Sequence, residues 1–280
     1  MIRNILASLD GSLHSEAVRE TAVHLAQKLG GRVTGLTVVD SRRLRLASWT
    51  DAIASLGLQP QTNARETLQK FQGERADAIL ESFKKSCQAE GFEVQTEKAE
   101  GIPSEVICER AAHHDLVVLG RLGEDANGKH HDAVGETTEA VIRSLHQPVL
   151  IVSETFHAPD KMVAAYDGSP HSAEALALAG ELAERLQLPL VILNVDSQKE
   201  RSDQLLQEAK SQLSPYKLEL QLQAHSGEPA KVIAAYVQSD GPGSWVASGG
   251  FGDRHFKEYL LGSVSEFLLR RGRFPLLLKR

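Results

Sequence analysis

The chain repeats itself, and that constrains its fold more than any other feature. An apolar run at residues 5–9 ends at Asp10-Gly11-Ser12, and another at residues 162–166 ends at Asp167-Gly168-Ser169. A helical pattern follows each (Ala17, Val18, Ala22, Leu25 and Ala26, then Leu176, Ala179, Ala183 and Leu186). A second apolar run closes on an aspartate, Asp40 or Asp196. Later, Gly101-Ile102-Pro103 is echoed by Gly227-Glu228-Pro229, and a proline-led apolar run ends each half, at residues 148–152 and 275–278. The paired spacings agree: 30 and 29 positions from first to second aspartate, 47 and 48 from glycine to closing proline. Only the stretch between those blocks differs, 61 positions against 31. Matched order with one discrepancy is the mark of a duplicated unit carrying one insertion of about thirty residues. The domains are expected at residues 1–155, with the insertion at about 41–90, and at residues 156–280.

Short apolar runs alternating with helical patterns predict an α/β fold. Each half reads as an open parallel sheet with helices on both faces. Ligands in such sheets sit beyond the carboxyl ends of the strands. That rim is expected to carry Asp10, Asp40 and Gly120 in the first half, and Asp167, Asp196 and Gly249 in the second. Third strands are expected at residues 92–96 and 218–222. The stretch 65–90 reads as an amphipathic helix that covers the first domain or reaches out as an interaction arm. Residues 41–61 show no clear period, and their basic cluster Arg42, Arg43 and Arg45 lies near Trp49. That cluster reads as a solvated face or as part of a partner-binding or gating insertion.

The residues most suggestive of chemistry are Gly249-Gly250-Phe251-Gly252, nine spacer residues, then Gly262-Ser263-Val264-Ser265. Glycines ahead of a helix let backbone N–H groups close around an anion, and the helix N-terminus adds partial positive charge. The same glycines also suit a plain tight turn between strand and helix. The first half departs from this pattern. After Gly120-Arg121-Leu122-Gly123 come eleven residues, then Gly135 and Glu136 in place of a hydroxyl residue. Glu124, Asp125, Asp132 and Glu136 face Lys129 alone there, whereas Asp253 and Glu258 are balanced by Arg254 and Lys257 in the second half. A carboxylate about 4 Å from a phosphate costs roughly a few kcal/mol at an effective dielectric near 20.

With these residues in place, the chain resembles the universal stress protein family in its tandem, two-domain form. The resemblance covers nearly everything outside the insertion. It implies two five-stranded parallel sheets of the adenine nucleotide alpha hydrolase-like kind. It also implies ATP, with Mg as its companion ion, held through Gly-x2-Gly-x9-Gly-Ser/Thr. Gly249, Gly252, Gly262 and Ser263 match that spacing, with Val264 and Ser265 completing the first helical turn. Asp167 matches the family's first-strand aspartate; it faces the adenosine end or a metal, or else forms a strand-end turn. Val195 falls where the family lines its adenine pocket with second-strand backbone, and as a side chain it also reads as core. The expected function is stress-associated ATP binding and signalling, mainly in the second domain. No catalytic residue is assigned: neither loop offers a base for activating water, and no Walker lysine is present. Slow hydrolysis occurs in the family. The alternative is a scaffold or adaptor for a protein or a non-nucleotide ligand. By analogy with family dimers, the halves are expected to pack through their last strands as an intramolecular pseudo-dimer. A homodimer of whole chains is left open.

Composition trims the remaining options. A net charge of −6 gives no electrostatic reason to bind nucleic acid or an anionic membrane. Two cysteines without metal-ligand spacing, Cys87 and Cys108, suit free thiols in a reducing compartment. With no leader-like or spanning stretch, the expected location is the cytoplasm. The pairs His113-His114 and His130-His131 share no spacing with a cysteine partner and make a poor metal site.

Overall fold

A computed structural model of the chain describes residues 1–46, 48, 63–123, 133–250 and 262–279. In the first half, β1 (Asn4–Ser8) leads to α1 (His14–Leu29), β2 (Arg32–Asp40) and α2 (Ala64–Ala89). Next come β3 (Gln95–Gly101), α3 (Pro103–Ala111), β4 (Leu116–Gly120), α4 (Glu136–Ser144) and β5 (Val149–Val152). The second half repeats the series: β6 (Lys161–Ala165), α5 (Pro170–Leu186), β7 (Leu190–Val195), α6 (Lys199–Gln212) and β8 (Leu220–His225). It ends with α7 (Pro229–Asp240), β9 (Ser244–Gly249), α8 (Ser263–Arg271) and β10 (Leu276–Lys279).

The ten strands form one sheet in the order β3-β2-β1-β4-β5-β10-β9-β6-β7-β8. Every pairing is parallel except β5 with β10. At that seam Leu276, Leu277 and Leu278 lie opposite Ile151, Leu150 and Val149. The strand order within each half reverses between its first and fourth strands, which opens a crevice at their carboxyl ends.

Strand residues alternate between two apolar layers because side chains point to opposite faces with period two. Ile5, Ala7, Leu150 and Leu277 join the layer covered by α1, α2, α5 and α6. Leu6, Ile151, Leu276 and Leu278 join the layer covered by α3, α4, α7 and α8. Both layers run unbroken across the seam. Each fully buried leucine there contributes about 1.5–3 kcal/mol of transfer free energy. Buried Arg121 adds a polar tie from the end of β4, donating to the carbonyls of Leu269 and Phe274 in the other half. It thereby satisfies a carbonyl in the last turn of α8, which helices otherwise leave open.

Two third strands differ from their expected bounds. β3 occupies Gln95–Gly101 instead of 92–96, and β8 occupies Leu220–His225 instead of 218–222. Both are outer strands of the sheet, where one edge meets solvent and polar residues are tolerated. Phe92 and Val94, which suggested the earlier start, pack beneath the helices as connectors. The long helix α2 is no projecting arm: Ala76, Leu80, Phe83 and Cys87 bury its inner stripe. In element order it is the counterpart of α6, at 26 residues against 14.

Candidate functional site: two strand rims

At the second-half rim, β9 ends on Gly249 against the start of α5. A Cβ on Gly249 would come within 2.8 Å of the His171 carbonyl carbon, so only glycine fits. Gly262 then caps α8 in an extended conformation, and Glu266 N–H bonds its carbonyl at 2.9 Å. The N–H groups of Ser263, Val264 and Ser265 belong to the first turn, where no preceding helical carbonyl exists to receive them. The Ser265 side chain, by contrast, is committed. It is 2% exposed, donates to the Gly249 carbonyl and lies 3.0 Å from the Ser248 hydroxyl. It latches the helix to the strand end.

Asp167 sits two residues past β6 and makes a strand-end turn: its Oδ1 accepts from Ser169 N–H at 2.9 Å. Ser169 in turn caps α5 by accepting from Ser172 N–H at 3.2 Å. Partial burial pushes the Asp167 carboxyl upward, yet the hydrogen bonds from Ser169 and Ser172 prevail and hold it below its ordinary value. Val195 ends β7 and is half-buried against the apolar layer of α7 and α8. The structure thus gathers Asp167, Gly249, Gly262 and Ser263 at the carboxyl-end rim, with Val195 ending the adjacent strand β7. Gly252 lies outside the described residues.

The first-half rim repeats this framework. A Cβ on Gly120 would come within 2.5 Å of His14 Cβ, as Gly249 meets His171. Thr138 Oγ1 donates to the Gly120 carbonyl at 2.8 Å, as Ser265 does to Gly249. Asp10 Oδ1 accepts from Ser12 N–H at 2.9 Å and from Ser15 Oγ at 3.1 Å. Thr138 was not among the expected site residues, and Ser265 was expected at a phosphate site and not as a latch, although one signal was available. Thr138 and Ser265 each stand three positions after the closing glycine.

Between β1, β2 and β4 of the first half lies a cavity of about 370 Å³, floored by Leu9, Val38 and Leu119 and walled by Ile79 and Ile107. Its mouth carries an ion-pair bridge that sequence reasoning missed. Arg42 donates from Nε and Nη2 to the Asp40 carboxylate at 2.8–3.1 Å, and from Nη1 to Glu136 at 2.8 Å. Burial alone would raise the Asp40 pKa, but the Arg42 guanidinium holds it below the ordinary carboxylate range. Buried His14, also on the cavity wall, is pushed down by loss of water, which outweighs the nearby Glu154 and Asp10. Both thiols are raised by burial, so neither Cys87 nor Cys108 is activated. No helix among the described residues is long and apolar enough to cross a membrane.

Comparison with known proteins agrees with this duplicated layout. A model of the universal stress protein family matches residues 1–153 and, a second time, residues 159–280. Universal stress protein Slr1230 from Synechocystis is 27% identical over 287 residues, covering 99% of each chain. Universal stress protein MJ0531 from Methanocaldococcus jannaschii is 28% identical over 156 residues, covering 55% of this chain and 84% of its own. The crystal structure of a universal stress protein from Archaeoglobus fulgidus has a TM-score of 0.75 against this chain, at 20% identity. The match covers 99% of this chain and 98% of that one, and it is a likeness of fold.

Proposed function

The chain belongs to the universal stress protein family, and from that premise we propose a stress-associated regulator that binds ATP, mainly through its second domain. The domains are read as residues 1–155 and 156–280. The observation that carries the proposal is the second-half loop. It keeps the family spacing Gly249-x2-Gly252-x9-Gly262-Ser263, and its described ends stand at a strand terminus and a helix N-terminus. A helix N-terminus next to the carboxyl end of a parallel strand is a favourable place for phosphate. In this reading the N–H groups of Ser263, Val264 and Ser265 and the Ser263 hydroxyl receive phosphate oxygens, and Mg shields their charge. Asp167 and Val195 border the adenosine end. The protein binds and signals in the cytoplasm; turnover of ATP is not part of the role.

Titration calorimetry with ATP and Mg tests this on the wild type and on Gly262→Asp with Ser263→Ala. The added carboxylate at the helix N-terminus is expected to weaken binding by at least about tenfold. Equal affinities, or a wild type that does not bind, would contradict the reading.

A second reading, an adaptor that grips a protein through the first-half rim, is favoured by a different observation. Leu13, Leu46 and Phe71, all in segments beside that rim, are 62–70% exposed. Nucleotide-free purified protein with no thermal shift on adding ATP and Mg would favour it over nucleotide binding.

A further inference from the structure

We propose that the two rims are coupled, so that a change at one is transmitted to the other through the last helix of each half. Two basic residues, one at each rim, carry the proposal. Arg121 follows Gly120 at the end of β4 and is 7% exposed. Its carbonyl accepts from Gly135 N–H at 2.9 Å, which closes the base of the first-half loop. Its guanidinium donates across the seam to the carbonyls of Leu269, in the last turn of α8, and Phe274, just beyond it. Lys279 ends β10 beside Gly249. Its carbonyl accepts from Gly250 N–H at 2.7 Å, at the start of the second-half loop. Its Nζ donates to the His146 carbonyl at 3.1 Å, just beyond α4.

Each of these residues joins its own loop, through the backbone, to the last helix of the other half, through the side chain. The helices complete the connection. α8 starts at the second-half rim, where Ser265 latches it to Gly249, and ends on Arg121 of the first half. α4 starts at the first-half rim, where Thr138 latches it to Gly120, and ends on Lys279 of the second. Arg270 of α8 also lies 3.7 Å from Glu139 of α4. Each helix has nine residues and is only about 14 Å long. Val141 and Ile142 of α4 share one buried layer with Leu268 and Leu269 of α8. A short rod packed in this way has little room to bend and shifts as a unit.

Burial makes the Arg121 link the stiffer of the two. Carbonyls at a helix C-terminus carry partial negative charge and favour a cation there. Pulling α8 away from Arg121 would strand a buried charge and open carbonyls, so helix and loop move together more readily than apart. The Lys279 side chain is 28% exposed, and water can replace its partner at lower cost. Coupling between two sites is reciprocal in binding free energy whichever link is stronger. For a nucleotide the proposal rests on ATP seating at the second rim, as read above.

Hydrogen exchange on the full chain tests the coupling without any ligand. Ser265→Ala frees the start of α8, and the Gly135 amide at the opposite rim is expected to exchange about fivefold faster than in wild type. The change is read relative to the Val191 amide inside β7, which reports overall stability. With Arg121→Met in both chains the difference is expected to vanish, and with Arg121→Lys, which keeps a donor, to persist in part. Thr138→Ala read at the Gly250 amide, with Lys279→Met as its break, tests the return path in the same way. In a second arm, ATP with Mg is expected to slow Gly135 exchange in wild type and to leave it unchanged in Gly262→Asp with Ser263→Ala. A wild type that binds no ATP would contradict the second-half reading alone, and the ligand-free comparison still decides the coupling. An amide unmoved relative to Val191, an effect that survives removal of its basic residue, or an ATP effect that persists in the loop variant would each overturn the proposal.

Discussion

Asp167 keeps its charge because Ser169 and Ser172 supply hydrogen bonds that outweigh its partial desolvation. Its folded pKa lies below the ordinary 3.8, so the ionised form stabilises the fold above that pH and the benefit is lost as pH falls through the depressed value. Asp167→Asn is therefore expected to be less stable than wild type near neutrality, by about 0.5–1 kcal/mol after solvent screening, with the gap closing as pH falls below the ordinary 3.8. Urea unfolding at the two pH values measures it; a gap that persists in acid would rule out the carboxylate as the cause. At this scale the sequence was partly readable. Gly249 and Gly262 announce themselves because only glycine tolerates the close approach or so often precedes a phosphate-binding helix. Ser265 was misleading, since a hydroxyl near a helix start looks available whether it faces solvent or latches to Gly249.

Among the elements, α1 combines structure and sensitivity. Its buried stripe packs against β1, β2 and β4, and it carries His14 and His24, both pushed below the ordinary 6.5 chiefly by burial. The unfolded chain then binds protons that the folded chain refuses, so stability is full above about pH 6.5 and declines as acid drives protons onto them. The urea midpoint should fall between about pH 7.5 and about pH 5.5, and His14→Gln with His24→Gln should flatten that fall. An unchanged slope would assign the acid loss to other groups. Interior strands such as β4 and β5 were legible because they are apolar on both faces. Outer strands start two or three residues later than expected, and β3 shows why: it is built from Gln95, Thr96, Glu97 and Lys98 and has no apolar run. Helix α2 was legible as a helix, but its role was not. The sequence cannot say that Ala76, Leu80 and Phe83 meet β2 and not a partner.

For the whole molecule, duplication was the clearest message in the chain, because spacing survives where identity does not. The seam was expected only by analogy, since nothing in residues 148–152 or 275–278 distinguishes a strand that pairs with its twin from one that ends a sheet. Residues 156–280 expressed alone would leave the β10 edge, Leu276 to Leu278, without its partner β5. Exposed apolar edges seek another strand. We expect that fragment to form a two-fold dimer through β10, read by light scattering; a stable monomer would show that the seam is dispensable. The antiparallel seam also decides who can attend to the molecule. Its strands run one way in the first half and the opposite way in the second, so the two crevices open toward opposite ends of the sheet. A protein that docks over one opening leaves the other uncovered. The chain is thus two-ended, and whatever engages one crevice meets the residues of that half alone.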